Sequence, residues 1–137
     1  MKRIFADTSY WVAIFLPTDE NHQAAKTASG QLGGAVGIVT SDAVLVEYLN
    51  HIARCPPSVR ERAIRTVRNV LDDPNVDTEH FTHRRFVEAV DFYEARSDKE
   101  YSLTDCMSMC IMKDMGIREV LTNDHHFEQE GFTILMP

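Results

Sequence analysis

Short apolar runs and stretches of helical periodicity alternate along this chain. Arg3–Ala6 is a β-rich run, and Ser9–Leu16 and Asp19–Gln31 read as helices separated by Pro17. Ala35–Val39 predicts a second strand. Asp42–Arg54 carries Val44, Leu45, Tyr48, Leu49 and Ile52 at helical spacing, and Pro56-Pro57 ends that helix and opens another, from Ser58 to about Leu71. Asn75–His80 reads as a weak third strand. Thr82–Arg96 is helical, with Phe86, Val87, Val90 and Tyr93 on one face; Leu103–Met115 is a helix that Gly116 terminates. Glu119–Thr122 and Phe132–Leu135 are the last strands. Strands joined through helices imply crossover connections and a parallel sheet covered on both faces. The expected fold is therefore a three-layer α/β/α domain with a mostly parallel sheet of four or five strands. With no repeat, low-complexity tract or long linker, residues 1–137 read as one domain.

This pattern gives meaning to where the acids fall. Open α/β sheets bind ligands at the carboxyl ends of their strands. Asp7 follows the first strand and Asp124 follows the run "VLTN". Asp105 lies in the first turn of its helix, and Glu47 about one turn into the helix after the second strand. Each has a local explanation: Asp7 can cap a helix, Asp105 can form a capping box with Ser102, Asn123-Asp124 is turn chemistry, and Glu47 can be solvated. Together they place four carboxylates on one edge of the sheet, where they repel unless a cation neutralises them. A hard divalent ion, Mg²⁺ or Mn²⁺, takes oxygen ligands and suits phosphoryl chemistry.

Composition narrows the partners. The net charge of −7 argues against a passive nucleic-acid binder. It is unevenly spread: Arg54–Val70 holds five arginines and one glutamate, +4, which leaves −11 on the rest. The apolar start is broken by Asp7 and closed by Pro17 without a small-residue cleavage site, so it does not read as a signal peptide. No apolar run approaches the roughly 20 residues that span a bilayer. Cys55, Cys106 and Cys110 form no CxxC pair, as expected of reduced thiols in a cytoplasm. Adjacent His125 and His126 make a poor zinc pair, Met107, Met109, Met112 and Met115 read as core filler, and Phe127 reads as an anchor for its turn. The helix "SYWVAIFL" is apolar on nearly every side; Trp11 or Phe15 either meets another chain or is buried under the next helix.

The blocks "FADTSYW" at 5–11, "SDAVLVEYLN" around Glu47, "YSLTDCMSM" at 101–109 and "LTNDHHF" at 121–127 together resemble PIN-domain ribonucleases, most closely the VapC-type toxins of toxin–antitoxin pairs. The resemblance covers nearly the whole chain. Any one block is weakly specific; the four in order are strongly so. It implies that Asp7 and Asp105 are the most direct metal ligands, that Glu47 and Asp124 complete the site, and that Ser9 orients a water. Thr8, Thr104 and Asn123 occupy motif positions as supporting or capping residues. The implied activity is Mg²⁺- or Mn²⁺-dependent endoribonucleolytic cleavage leaving 5′-phosphate and 3′-hydroxyl ends. The implied partners are RNA, a small protein antitoxin and a second copy of the chain.

An acidic catalytic edge repels phosphate, so positive charge nearby must hold the substrate. Arg62, Arg65 and Arg68 recur every third residue and form a ridge, with Ala63, Ile64, Val67 and Val70 expected on the packed face. The ridge reads as the RNA-binding surface, or as solvated charge on an acidic protein. Two other functions stay in view. One is a PIN nuclease of RNA maturation or turnover without an antitoxin. The other is a non-catalytic, receiver-like ion-binding module, which the absence of an acid pair after the first strand disfavours.

Overall fold

The structure, a computed structural model, describes residues 2–137. The first half runs β1 (Lys2–Ala6), α1 (Thr8–Phe15), α2 (His22–Gly30), β2 (Val36–Ser41), α3 (Asp42–Ile52), α4 (Pro57–Asp72) and β3 (Val76–Glu79). The second runs α5 (His83–Ala95), α6 (Leu103–Met115), β4 (Glu119–Leu121), α7 (His126–Gln129) and β5 (Thr133–Ile134). All four strand pairings are parallel, in the order β3-β2-β1-β4-β5.

The chain steps outward from β1 to β3, then returns to lay β4 and β5 on the other side of β1. Right-handed crossovers made in opposite directions put α1–α4 on one face and α5 and α6 on the other. Accordingly α1 packs on α2 and α3, and α5 packs on α6. Burial on both faces explains why Phe5, Ala6, Val39, Val120 and Leu121 are fully inaccessible. The direction change between β1 and β4 creates a crevice at their carboxyl ends. Their register, with Phe5 opposite Val120 and Ala6 opposite Leu121, brings Asp7 level with the residues that follow β4.

Local signals explain most boundaries. Ser41 caps α3 by accepting the Val44 N–H, and Thr82 caps α5 through Arg85 N–H. Pro57 opens α4, and Gly116 closes α6 at φ 67°. The helix expected from Asp19 begins only at His22, because the Asp19 carboxylate takes the Asn21 N–H in a turn that precedes it. The short helix α7 has no forerunner in the hydrophobic pattern.

Several side-chain expectations change. Trp11 is not held for another chain: it is buried, and its indole N–H donates to Thr40 Oγ1 at 3.1 Å. Thr40 in turn donates to the Ala6 carbonyl. Phe15 is half-buried, edge-on to Tyr48 and beneath the Arg62 guanidinium, 5.3 Å away. On α4, Ala63, Val67 and Val70 face inward, but Ile64 is exposed, since it lies about 100° around the helix from Ala63. The α5 face that carries Phe86, Val87, Val90 and Tyr93 remains half-open to solvent, with Phe81 stacked on Phe86. Phe127 and three of the four α6 methionines, Met107, Met109 and Met112, do fill the core. The three cysteines are free thiols. Among the described residues, no helix is long and apolar enough to cross a membrane.

Candidate active site

A cleft of about 600 Å³ opens at the carboxyl ends of β1 and β4, and its lining includes Asp7, Ser9, Glu47, Asp105 and Asp124. The four acids come from four different elements, so the sheet and its crossovers assemble them. Arg62, Arg65 and Arg68 do not line the cleft; they lie exposed on α4, which packs against the Glu47 helix, α3. A groove of about 630 Å³ beside β3 is also polar, but its charges are largely paired, with Arg85 bridging Glu79 and Asp114.

Asp7 sits at the N-cap position of α1 yet makes no side-chain capping bond. Its carboxylate instead accepts the Thr122 hydroxyl at 2.9 Å. Thr122 has one proton to give, so Ser9 must donate to Thr122, and Ser9 accepts the Asn123 N–H in turn. Thr122 Oγ1 also receives the Asp124 N–H. These bonds lace the start of α1 to the end of β4 and set Asp7 and Asp124 relative to one another. Ser9 therefore spends its hydroxyl proton on this lacing.

Asp105 does form the capping box with Ser102: its carboxylate accepts the Ser102 N–H, and the Ser102 hydroxyl accepts the Asp105 N–H. Capping leaves it pointed into the cleft. Asp124 Oδ1 takes the His126 N–H at 2.9 Å. Glu47 is half-exposed and has no hydrogen-bonding or ionic partner among the described residues.

Burial pushes the Asp7 carboxyl up to about 7, and the Asp105 charge adds to that; the Thr8 N–H and Thr122 hydroxyl pull the other way. Asp105 is raised too, by burial first and then by Asp124 and Glu47, against the pull of the Ser102 N–H and of His126. Among the described residues, no lysine or arginine pairs with any of the four acids. Such a set of hard oxygen donors, two of them buried and none compensated by lysine or arginine, fits a divalent cation.

Three contributors escaped the sequence reading. Thr122 is buried at the hub of the lacing; its signal was a hydroxyl two residues before Asp124. His126 places Nδ1 3.3 Å from Asp124 Oδ1 and 3.7 Å from Asp105 Oδ2, whereas His125 turns away to Glu128. Donor atoms of Asp105, Asp124 and His126 lie within 4.8 Å of one another. Tyr101 tilts its ring against His126, with centroids 5.4 Å apart.

An acid cluster at the switch point of a parallel sheet, with no lysine or arginine beside it among the described residues, is able to hold a divalent cation. The PIN-domain model matches residues 4–132, and the chain belongs to that family. It is 30% identical over 137 residues to the 23S rRNA-specific endonuclease VapC20 of Mycobacterium tuberculosis, covering 98% of each chain. The crystal structure of that protein, described as a sarcin–ricin loop cleaving toxin, superposes with a TM-score of 0.83 at 27% identity over 95% of this chain and 96% of the other. VapBC2 from Rickettsia felis, solved with a promoter DNA fragment, shares the fold at a TM-score of 0.69 and 12% identity, covering 96% of each chain.

Proposed function

We propose that this chain is a Mg²⁺- or Mn²⁺-dependent endoribonuclease that hydrolyses RNA phosphodiesters, and the toxin of a toxin–antitoxin pair. One observation carries the reading: Asp7 and Asp105, both buried and flanked by Glu47 and Asp124, face an open cleft whose lining holds no lysine or arginine. Asp7, Asp105, Asp124 and Glu47 would hold the ion. When bound, the ion supplies Lewis-acid polarisation of the phosphate and acidifies water. The lacing through Thr122 and Ser9 fixes the carboxylates, so that little rearrangement accompanies binding. The α4 arginines, none of them ion-paired among the described residues, would gather the phosphate backbone that the acids repel. The toxin role rests on the likeness to the mycobacterial relative, whose substrate makes 23S rRNA the first RNA to test.

The remaining proposals follow from the same reading. The whole of residues 1–137 acts as one nuclease domain in the cytoplasm, and a small antitoxin restrains it. The half-open apolar strip of Phe81, Phe86, Val87, Val90 and Tyr93 would receive a second copy.

The test is incubation of pure chain with ribosomal and total RNA, with and without EDTA, followed by mapping of the new ends. The reading expects discrete cuts with 5′-phosphate and 3′-hydroxyl termini that EDTA abolishes. Cleavage that persists in EDTA, or that leaves 2′,3′-cyclic phosphates, would contradict it.

A further inference from the structure

Among the described residues, His126 is the histidine whose ring nitrogen groups with the oxygens of Asp105 and Asp124. Its Nδ1 is buried and has no hydrogen-bond partner. Asp124 Oδ1, 3.3 Å away, accepts the His126 backbone N–H, and no hydrogen bond joins it to the ring nitrogen. The same nitrogen lies 3.7 Å from Asp105 Oδ2. Neighbouring ligands on one octahedral ion, each at 2.0–2.1 Å, are separated by about 3.0 Å. The two separations from His126 Nδ1 are thus within an ångström of that value, and all three donors lie within 4.8 Å of one another. The ring is also held. Tyr101 packs against it, and the Tyr101 hydroxyl donates to Glu130, which Arg96 grips through two hydrogen bonds.

We propose that His126 Nδ1 is a ligand to the divalent ion, completing a mixed nitrogen–oxygen set with Asp105 and Asp124 and tuning the site toward Mn²⁺ over Mg²⁺. This rests on the proposed ion site and adds an imidazole to its four carboxylates. Mg²⁺ demands hard oxygen ligands and sheds water reluctantly, whereas imidazole binds first-row transition ions better. A neutral donor also brings no further negative charge to an edge that already carries four acids, which limits repulsion before the ion arrives. His125, bonded to Glu128 and exposed, takes no part.

Mn²⁺ provides the probe, because its unpaired electrons report directly bonded nitrogen. Tag-free full-length protein is loaded with Mn²⁺ in a nitrogen-free buffer and studied by electron spin-echo spectroscopy. The proposal expects nitrogen modulation in the wild type that converts to the ¹⁵N pattern when the histidines are ¹⁵N-labelled. His126→Ala should lose it and His125→Ala should keep it. The Mn²⁺:Mg²⁺ affinity ratio of His126→Ala should fall at least about tenfold, a loss seen even when only an outer partner of a ligand is removed. Labelling keeps the test decisive even if His126→Ala folds poorly. Bound Mn²⁺ without histidine modulation would overturn the ligand while leaving the carboxylate site intact. Mn²⁺ that fails to bind, or that binds equally well in Asp105→Asn, would overturn the ion site and this ligand together.

Discussion

Glu130 and Asp7 are both buried acids, with side-chain exposure of 7% for Glu130 and residue exposure of 4% for Asp7, and the protein treats them in opposite ways. Arg96 forks onto Glu130 at 2.9 and 3.1 Å, Lys113 approaches to 3.2 Å, and the Tyr101 hydroxyl donates at 2.9 Å. The Arg96 hydrogen bonds, helped by Tyr101 and Lys113, hold Glu130 down to about 2 in spite of burial. Asp7 has one hydroxyl, one backbone N–H and more carboxylates for neighbours, and it is driven up to about 7. Burial alone does not distinguish a structural acid from a functional one; the sign of what surrounds it does. The first cluster is closed and holds α5, α6 and the turn after α7 together. The second is open to solvent and short of positive charge.

The largest expected effect falls on the open cluster. Asp105→Asn preserves shape and the N–H-accepting oxygen of the capping box but removes the charge. Cleavage should drop by at least about a hundredfold, the scale of losing one preorganised electrostatic partner. The ion-free protein should stay folded and melt no lower, because repulsion is relieved. Wild-type turnover by this variant would erase the contrast between the clusters.

Glu130→Gln should do the reverse, lowering stability by about 2 kcal/mol as charged hydrogen bonds are lost, measured by urea unfolding. The two acids also leave opposite marks on pH dependence. Asp7, with its folded pKa raised, prefers the proton in the folded state; in ion-free protein its cost to stability grows from about pH 4 and is complete above about pH 7. Glu130, with its folded pKa lowered, contributes stability above its ordinary range that is lost as pH falls toward about 2. Asp7→Asn should flatten the first slope alone, and Glu130→Gln the second. Urea titrations from pH 3 to 8 with EDTA would show both.

The smallest effect belongs to the α4 ridge. Replacing Arg62, Arg65 and Arg68 with glutamine should flatten the log–log salt dependence of RNA binding in EDTA by up to about 2 units if all three touch phosphate. Arg62, which already covers Phe15, should contribute least. An unchanged slope would return the ridge to ordinary solvated surface.

The fold and the four acids were legible because their signals are local. Apolar runs of strand length, proline stops and acids at strand ends can each be read within a few residues, and topology does the gathering. Contacts between distant positions left no such trace. Nothing near Thr122 announces a bond to Asp7, 115 residues away in sequence. Nothing near Trp11 announces Thr40, so its burial looked like a surplus. Nothing near Glu130 announces Arg96 or Tyr101, which close on it from 34 and 29 residues away. His126 was hidden by His125: the adjacent pair resembled a weak zinc motif, and only the start of α7 separates their directions.

The central claim is that the open cluster is built around a divalent ion, and a thermal melt tests it most directly. Wild-type protein and the double variant Asp7→Asn, Asp124→Asn are melted in EDTA and then across a Mn²⁺ titration. An ion that binds only the folded state adds about 2.7 kcal/mol at a hundred times its Kd, an upward shift of roughly 10 °C for a domain of this size. The account predicts that saturable rise in the wild type and little movement in the double variant. Equal shifts in the two proteins, or none in the wild type, would contradict it.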